Sequence, residues 1–404
     1  QIPGIEKRKF PKELAGPRYK KNIKIYPEEQ LPDLIKKFKI DEVVLSYSDL
    51  SFDYVMSFAS KVLAVGASFR LLGPNDTMVR SKKTVIAVTA VRTGSGKSQT
   101  SRAIARILRE HSKNVIAIRH GMPYGNLLKQ SCQRFASEKD FKKYNTTIEE
   151  EEEYQPWIDN RFVVYSGFDY KQILKLVERE AQVIIFDGGN NDTSLIKPDL
   201  LIVVTDPHRA GHEINYYPGF VNFLMADVII INKVDSAKKE NVKIILNNIK
   251  KYNPKAKVIL ARSELIVDKP QLIKNKLCAI IGDGPSLSHG GLPFGAGSIA
   301  VKRYKGIIID PKKYAVGSIK ETFQKYKHLR YEIPAMGYSK QQIKELEETV
   351  NKVPCDIVID GTPANLKRII KINKPIVEVN YELDKESIKE LEKILKEKRF
   401  IKRR

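Results

Sequence analysis

A chain of 404 residues is too long for one small core and implies two or three domains. Its 42% apolar content excludes a disordered chain, and no apolar run approaches the ~18 residues that a membrane-spanning helix needs. The formal net charge of +23, from 71 Lys+Arg against 48 Asp+Glu, fits a polyanionic partner, a surface adapted to heat, or a small anionic substrate. The lysines are spread along the chain rather than gathered in a block, so nucleic acid is not expected as a partner. Three scattered cysteines (Cys132, Cys278, Cys355) form neither a metal cluster nor a disulfide framework and fit a reducing cytoplasm. Nothing at the start reads as a signal peptide, and the opening Gln1 in place of Met leaves room for a missing N-terminal piece.

Residues 1–82 read as an N-terminal α/β domain. A helix over Pro27–Phe38 precedes a strand at Glu42–Leu45, a helix from Phe52 and a strand at Ser68–Leu72; Gly73-Pro74-Asn75-Asp76 then marks a turn. From Thr84 the pattern is regular. Strand-like runs recur at Thr84–Thr89, Asn114–Ile118, Phe162–Tyr165, Gln182–Phe186, Leu200–Val204, Val228–Ile231 and Lys257–Leu260, several of them separated by helical periodicities. Such alternation predicts βαβ units and a mainly parallel sheet over 83–300. The glycine-punctuated stretch Gly282–Gly297 reads as loop. A smaller C-terminal α/β unit, 301–404, has strands at Gly306–Ile309, Ile357–Ile359 and Ile376–Val379 and a last helix from Glu386. The fold class is thus α/β, a central P-loop NTPase-type sheet flanked by two smaller units.

The chemistry begins at Thr84–Ser98, TVIAVTAVRTGSGKS, where a buried strand runs into a loop ending Gly96-Lys97-Ser98 and a helix follows from Gln99. Gly94, Ser95, Gly96 and Gln99 frame this phosphate loop: its N–H groups would wrap the β-phosphate and Lys97 would reach the β/γ oxygens. Val91 stands where the usual first glycine would be. A second apolar strand, Gln182–Phe186, ends in Asp187, the Walker-B arrangement; with Ser98 it is expected to hold Mg²⁺. A third strand runs into Asn232-Lys233-Val234-Asp235, an N-K-x-D motif that reads a purine and, taken alone, leans to GTP.

Cationic and imidazole groups crowd the strand ends: Arg92 in the loop, Arg119-His120 with Arg134 downstream, and His208, Arg209 and His212 after the strand ending at Val204. Ligands of open α/β sheets lie at the carboxyl ends of strands, so these side chains predict a pocket for a polyanionic second substrate. The run Glu149–Glu153 reads as a solvated acidic helix start, the other reading being a second metal ligand.

The segments TAVRTGSGKSQTSR (89–102), RHGMPYG (119–125), FDGGNND (186–192), TDPHRAGHE (205–213), NYYPG (215–219), INKVD (231–235) and AVGSIKETF (315–323) together resemble the cyclic 2,3-diphosphoglycerate synthetases, over about Leu71 to Leu383. The resemblance implies an ATP-dependent ligase that closes 2,3-diphosphoglycerate into a cyclic pyrophosphate, a thermoprotectant, and releases ADP and phosphate. It implies ATP in place of GTP and a cytoplasmic homodimer binding neither nucleic acid nor membrane. Lys97, Arg92, His208 and Arg209 would then be catalytic, and Arg119, His120, Arg134, His208, Arg209 and His212 would bind the diphosphate substrate. A GTPase-type switch acting on RNA or protein is the alternative that N-K-x-D and the positive charge favour.

Overall fold

The computed structural model describes residues 5–402, apart from 124, 189–191, 289 and 336–338. Residues 124 and 189–191 of the quoted motifs, and 289 in the glycine-rich stretch, lie outside the described residues. The first of two sheets contains β1 (Thr84–Ala90), β2 (Val115–His120), β3 (Cys132–Phe135), β4 (Val163–Gly167), β5 (Val183–Phe186), β6 (Leu200–Thr205), β7 (Val228–Ile231) and β8 (Lys257–Leu260). Their spatial order is β8-β7-β6-β1-β5-β2-β4-β3, parallel throughout except where β3 runs antiparallel to β4 at the edge. The fold is therefore the expected P-loop NTPase-type α/β architecture.

The near-continuous apolar character of these strands has a direct cause: both faces are covered. Ile86, Val88 and Ala90 enter one core cluster and Val85 and Ala87 the opposite one, as period-two alternation requires. The helices α1 (Lys97–Glu110), α2 (Ile148–Asp159), α3 (Tyr170–Glu180) and α4 (Lys239–Tyr252) connect the strands. All seven expected runs are strands. β3 had not been expected, because Cys132-Gln133-Arg134-Phe135 contains no apolar run.

The second sheet contains β9 (Ser263–Val267), β10 (Leu277–Gly282), β11 (Ile307–Ile308), β12 (Glu332–Pro334), β13 (Ile357–Gly361) and β14 (Ile376–Leu383). The order is β9-β14-β13-β10-β11, with β12 pairing the carboxyl end of β10. The chain changes sheets between Leu260 and Ser263, so the segment 83–300 supplies strands to both. The helix α5 (Ala296–Arg303) lies on the second sheet.

Helix α1 serves both sheets. One part of its surface packs against the first, another against β14, and α6 (Lys385–Glu397) closes over it. Leu391, Ile394 and Leu395 of α6 share a core cluster with Ala103, Ile104 and Leu108 of α1. Arg106 of α1 also grips the Glu382 carboxylate of β14 through two bonds of 3.0 and 2.7 Å.

The N-terminal residues pair Glu42–Leu45 in parallel with Ser68–Leu71, with helices Leu31–Phe38 and Phe52–Ala64 around Ile35, Val62 and Ala67. They reach the first sheet's ligand edge through Leu50–Ser51, which pairs antiparallel with Tyr216–Tyr217. Among the described residues no helix is long and apolar enough to cross a membrane.

Leu395 is fully buried against α1. Leu395→Ala should lower the unfolding free energy by about 2–5 kcal/mol, the range for a leucine truncated inside a packed core. Urea unfolding followed by circular dichroism measures it, and a loss under about 0.5 kcal/mol, typical of surface positions, would place α6 outside the core.

Candidate active site

The phosphate loop leaves β1 at Ala90 and turns with Gly94 at φ 77° and Gly96 at φ 109°, left-handed values that favour glycine. At Gly96 space reinforces conformation, since a Cβ there would come within 2.1 Å of the Asn232 amide nitrogen. That amide donates to the Ser95 carbonyl at 2.8 Å, and Lys233 Nζ donates to the Gly94 carbonyl at 2.7 Å. Asn232 and Lys233 therefore brace the loop. Asp235, exposed at the rim, is left as the member of N-K-x-D facing outward.

Beneath the loop, β5 lies between β1 and β2. This places Asp187, at the end of β5, between Lys97 and Arg119. Asp187 is fully buried. It accepts from Lys97 Nζ at 2.9 Å, Ser101 Oγ at 2.6 Å, Trp157 Nε1 at 3.3 Å and the Arg119 guanidinium. Burial alone would raise its pKa, but Arg119 and Lys97 outweigh that and hold it at about 2. Lys97 is pulled down to about 8, by burial first and by Arg119 second, against the opposing attraction of Asp187.

The metal expectation is tested by these oxygens. Ser98 Oγ lies 3.5 Å from Lys97 Nζ and 3.3 Å from Arg119 Nη1, so both expected ligands flank the same two cations. Among the described residues no group of three or more His, Cys, Asp or Glu is arranged to hold a metal ion. A hard cation carried mainly by phosphate oxygens and water, with one or two protein oxygens nearby, fits this donor set. Gln99, expected at the nucleotide, lines the cavity with its side chain bonded to Ser263 Oγ at 3.0 Å, joining α1 to β9.

The remaining strand-end cations are paired inside the fold. Arg92 Nε lies 2.6 Å from Asp49 of the N-terminal residues, its Nη1 meets His212 Nδ1 at 2.8 Å, and its guanidinium sits 4.0 Å above the Tyr216 ring. Arg119 spans Asp187 and Glu153. Arg209 donates to Asp206 at 2.9 Å and to the Gly290 carbonyl at 2.6 Å, while Lys233 reaches Asp206 at 3.1 Å. Burial would raise Asp206, but Lys233, Arg209 and His208 hold it at about 2.

His212 is lowered to about 4 by burial, Arg92 and Arg209. His208, 3.0 Å from Ser236 Oγ, is also lowered, by partial burial and then by Lys233 and Arg209 against the pull of Asp206. Their surroundings thus disfavour the charged form of both imidazoles. Arg134 stands apart from the site. It is an exposed residue of the edge strand β3, bonded to Glu180 at 2.9 Å, and does not line the cavity. His120 meets Tyr170 and Asp192, at 3.3 and 3.5 Å, and does not line the cavity.

A cavity of about 1040 Å³ opens between the phosphate loop and the carboxyl ends of β10 and β13, lined by Lys97, Arg102, Glu152, Asp283 and Asp360 among others. The acidic run is not solvated. Glu150 closes a capping box with Thr147, Glu151 pairs with Arg368, Glu153 pairs with Arg119, and Glu152 is buried on the cavity wall. The sequence reading gave no role to Arg102, Asp283 or Asp360. The signal that exposed Asp187, an apolar strand ending in aspartate, recurs at Asp283 after β10 and at Asp360 near the end of β13.

A phosphate loop at the head of α1, a strand-end carboxylate on its lysine and a parallel sheet behind them define a P-loop nucleotide-binding protein. No family model matches the chain. The chain belongs to the family of the arginine synthetase ArcE of Thermococcus kodakarensis, with 54% identity over 398 residues, 98% of this chain and 89% of that protein. The cyclic 2,3-diphosphoglycerate synthetase of Thermococcus sibiricus is 24% identical over 241 residues, 54% of each chain. The expected resemblance thus holds for the wider family, while the name borne by the nearer of these two relatives differs. Among solved structures, LpxK of Aquifex aeolicus in complex with ATP covers 91% of this chain and 99% of its own at 12% identity and TM-score 0.47. The hydrogenase maturation factor HypB of Archaeoglobus fulgidus covers 46% and 83% at 16% identity and TM-score 0.29.

The folded pKa of Asp206 lies near 2, below its ordinary 3.8. A depressed carboxylate contributes stability that is present above 3.8 and disappears as pH falls through about 2. Asp206→Asn should therefore be clearly less stable than wild type at pH 6, with the gap closing between pH 4 and 2. Urea midpoints across that range check it; a gap independent of pH would remove the charge from the explanation.

Proposed function

We propose that the protein is an ATP-dependent ligase that builds the guanidinium of arginine from a ureido amino acid (citrulline) with ammonium as the nitrogen donor. The observation that carries this reading is the distribution of charge in the cavity. The cations expected to greet a diphosphate are already held by Asp49, Glu153, Asp187 and Asp206, while the far wall presents Glu152, Asp283 and Asp360. Arg102 and Arg303 are the exceptions: both guanidiniums line the cavity, and neither makes a hydrogen bond or ion pair among the described residues. A zwitterionic amino acid suits such a chamber, its carboxylate toward Arg102; a carboxylate with two phosphates does not. The near relative's name, arginine synthetase, supports the same reading.

The chemistry follows from the product. A ureido carbon differs from a guanidinium carbon by an oxygen that must leave, and oxide is not a leaving group. The ureido oxygen attacks the γ-phosphorus of ATP, the bond from that phosphorus to the β–γ bridging oxygen breaks, and ADP departs. The nitrogen donor then adds to the activated carbon and inorganic phosphate leaves. Gly94, Ser95 and Gly96 offer backbone N–H groups to the phosphates, and Lys97 shifts from Asp187 toward the β/γ oxygens. Arg119 stands behind it, so the reaction is assisted mainly by positioning and charge. Ser98 and Asp187 would hold Mg²⁺, which would supply further charge neutralisation to the reaction. Asp235 meets the base edge.

Cyclisation of 2,3-diphosphoglycerate is the second reading, supported by the more distant relative and the shared motifs. The GTPase-type switch is not favoured, since both curated relatives are named synthetases. A cytoplasmic homodimer, as the resemblance implies, is part of the proposal; light scattering at twice 46.0 kDa tests the dimer.

Incubation with Mg·ATP, citrulline and ammonium should yield arginine, ADP and phosphate in equal amounts, and Mg·ATP with 2,3-diphosphoglycerate should give no cyclic pyrophosphate by phosphorus NMR. The reverse pattern would replace this function with the second reading. Lys97→Ala should keep the circular dichroism of wild type and lose far more than tenfold in turnover. A loss within tenfold, about 1.4 kcal/mol of barrier, would count against the role of the loop.

A further inference from the structure

Glu152 is 5% exposed and lines the cavity, yet neither of its carboxylate oxygens has a hydrogen-bond partner among the described residues. An unpaired carboxylate in a dry wall is costly unless something answers it. Its neighbours worsen the problem. Asp283 follows β10 and Asp360 lies near the end of the adjacent parallel strand β13, where Ile281 pairs with Asp360 and Gly282 with Gly361. Two acids therefore project at the carboxyl ends of neighbouring strands, the edge where α/β sheets bind ligands.

Burial raises Glu152 well above the ordinary carboxylate range, and Asp283, Glu149 and Asp360 push it the same way. Asp360 is raised to about 7, mainly by burial, against the Thr362 bonds that lower it. The nearby lysines are engaged elsewhere: Lys367 bonds Glu378 at 2.5 Å and Lys233 bonds Asp206. Asp283 accepts from Ser286 Oγ at 2.6 Å and Asp360 from the Thr362 N–H at 3.0 Å, so each keeps acceptor capacity.

A cation would answer these acids, and its kind is restricted. Among the described residues no three carboxyl or imidazole groups converge as closely as a metal ion requires. Carboxylates set further apart around a shared space suit an ion that donates hydrogen bonds in several directions.

We propose that Glu152, Asp283 and Asp360 form the subsite for the protonated nitrogen that enters the reaction, and that Glu152 takes its proton. The catalytic half of this rests on the ureido-activation reading above. Ammonium gives one proton to a Glu152 oxygen, and the freed lone pair forms the C–N bond at the phosphorylated ureido carbon. The C–O bond to the phosphoryl group then breaks with its electron pair. One of the nitrogen's remaining protons leaves on the phosphate, and the Glu152 proton passes to solvent.

The binding half is tested without turnover. Wild-type protein alone, heated in matched concentrations of ammonium, sodium and magnesium chloride, should gain melting temperature with ammonium beyond the other two. Glu152→Gln, which removes an unanswered buried carboxyl group, should melt no lower than wild type in sodium and show no ammonium increment. Citrulline and its analogue lacking the α-amino group form a second arm. Stabilisation that depends on the α-amino group and is lost in Glu152→Gln would assign the acids to the substrate's own amine and overturn the donor subsite. An equal response to all three salts, or the same ammonium increment in the variant, would overturn it too. In the reaction, Glu152→Gln should raise KM for ammonium at least about tenfold while KM for ATP and citrulline stay within about twofold. A uniform fall in kcat with every KM unchanged would refute the subsite. If no arginine forms with any protein while the ammonium increment persists, the reaction fails and the cation site stands.

Discussion

The buried contact between Lys97 and Asp187 is the constraint on which the rest of the site depends. It joins the first residue of α1 to the end of β5, and Arg119 of β2 and Trp157 of α2 close on the same carboxylate. Four elements are thereby held at one atom group inside the sheet. A buried charge stripped of its partner is strongly destabilising, so this knot fixes where the phosphate loop can sit before any nucleotide arrives. It also keeps Lys97 where an incoming polyphosphate can compete for it.

The same logic governs the wider surface of the site. A net charge of +23 suggests free cations awaiting an anion, but at the strand ends the cations are spent on structure: Arg92 on Asp49, Arg209 and Lys233 on Asp206, Arg119 on Asp187 and Glu153. On the far wall of the cavity the buried group left unanswered is Glu152, neither of whose carboxylate oxygens has a hydrogen-bond partner among the described residues. Residue counting reports the total, and pairing decides the local sign. The proposed substrate, bearing nitrogen cations rather than a second set of phosphates, rests on that wall.

The central sheet was legible because its strands are buried on both faces and spell unbroken apolar runs, and because the phosphate loop needs glycines at fixed places. The second sheet was harder. Ser263–Val267 opens on a polar pair and offers only three apolar residues, and Glu332–Pro334 is three residues long, so neither announces itself; Leu277–Gly282 reads as apolar but sits just before a glycine-rich stretch that draws attention away. The acidic run misled for a related reason. Charge on a helix suggests solvent, and only the tertiary partners Arg368 and Arg119 reveal that the face is covered. Asn232 carried the right motif, but its amide faces the Ser95 carbonyl, a detail no spacing conveys.

Helix α1 works as a beam shared by two walls. Its first residue carries the nucleotide lysine, while farther along Arg106 is clasped by Glu382 of β14, the neighbour of the strand that bears Asp360. A close-packed interior transmits displacement instead of absorbing it, so a shift of the helix head toward a polyphosphate is felt at the acidic wall. The two ends of the helix thus share one rigid body, and a change of its position at one end moves the other.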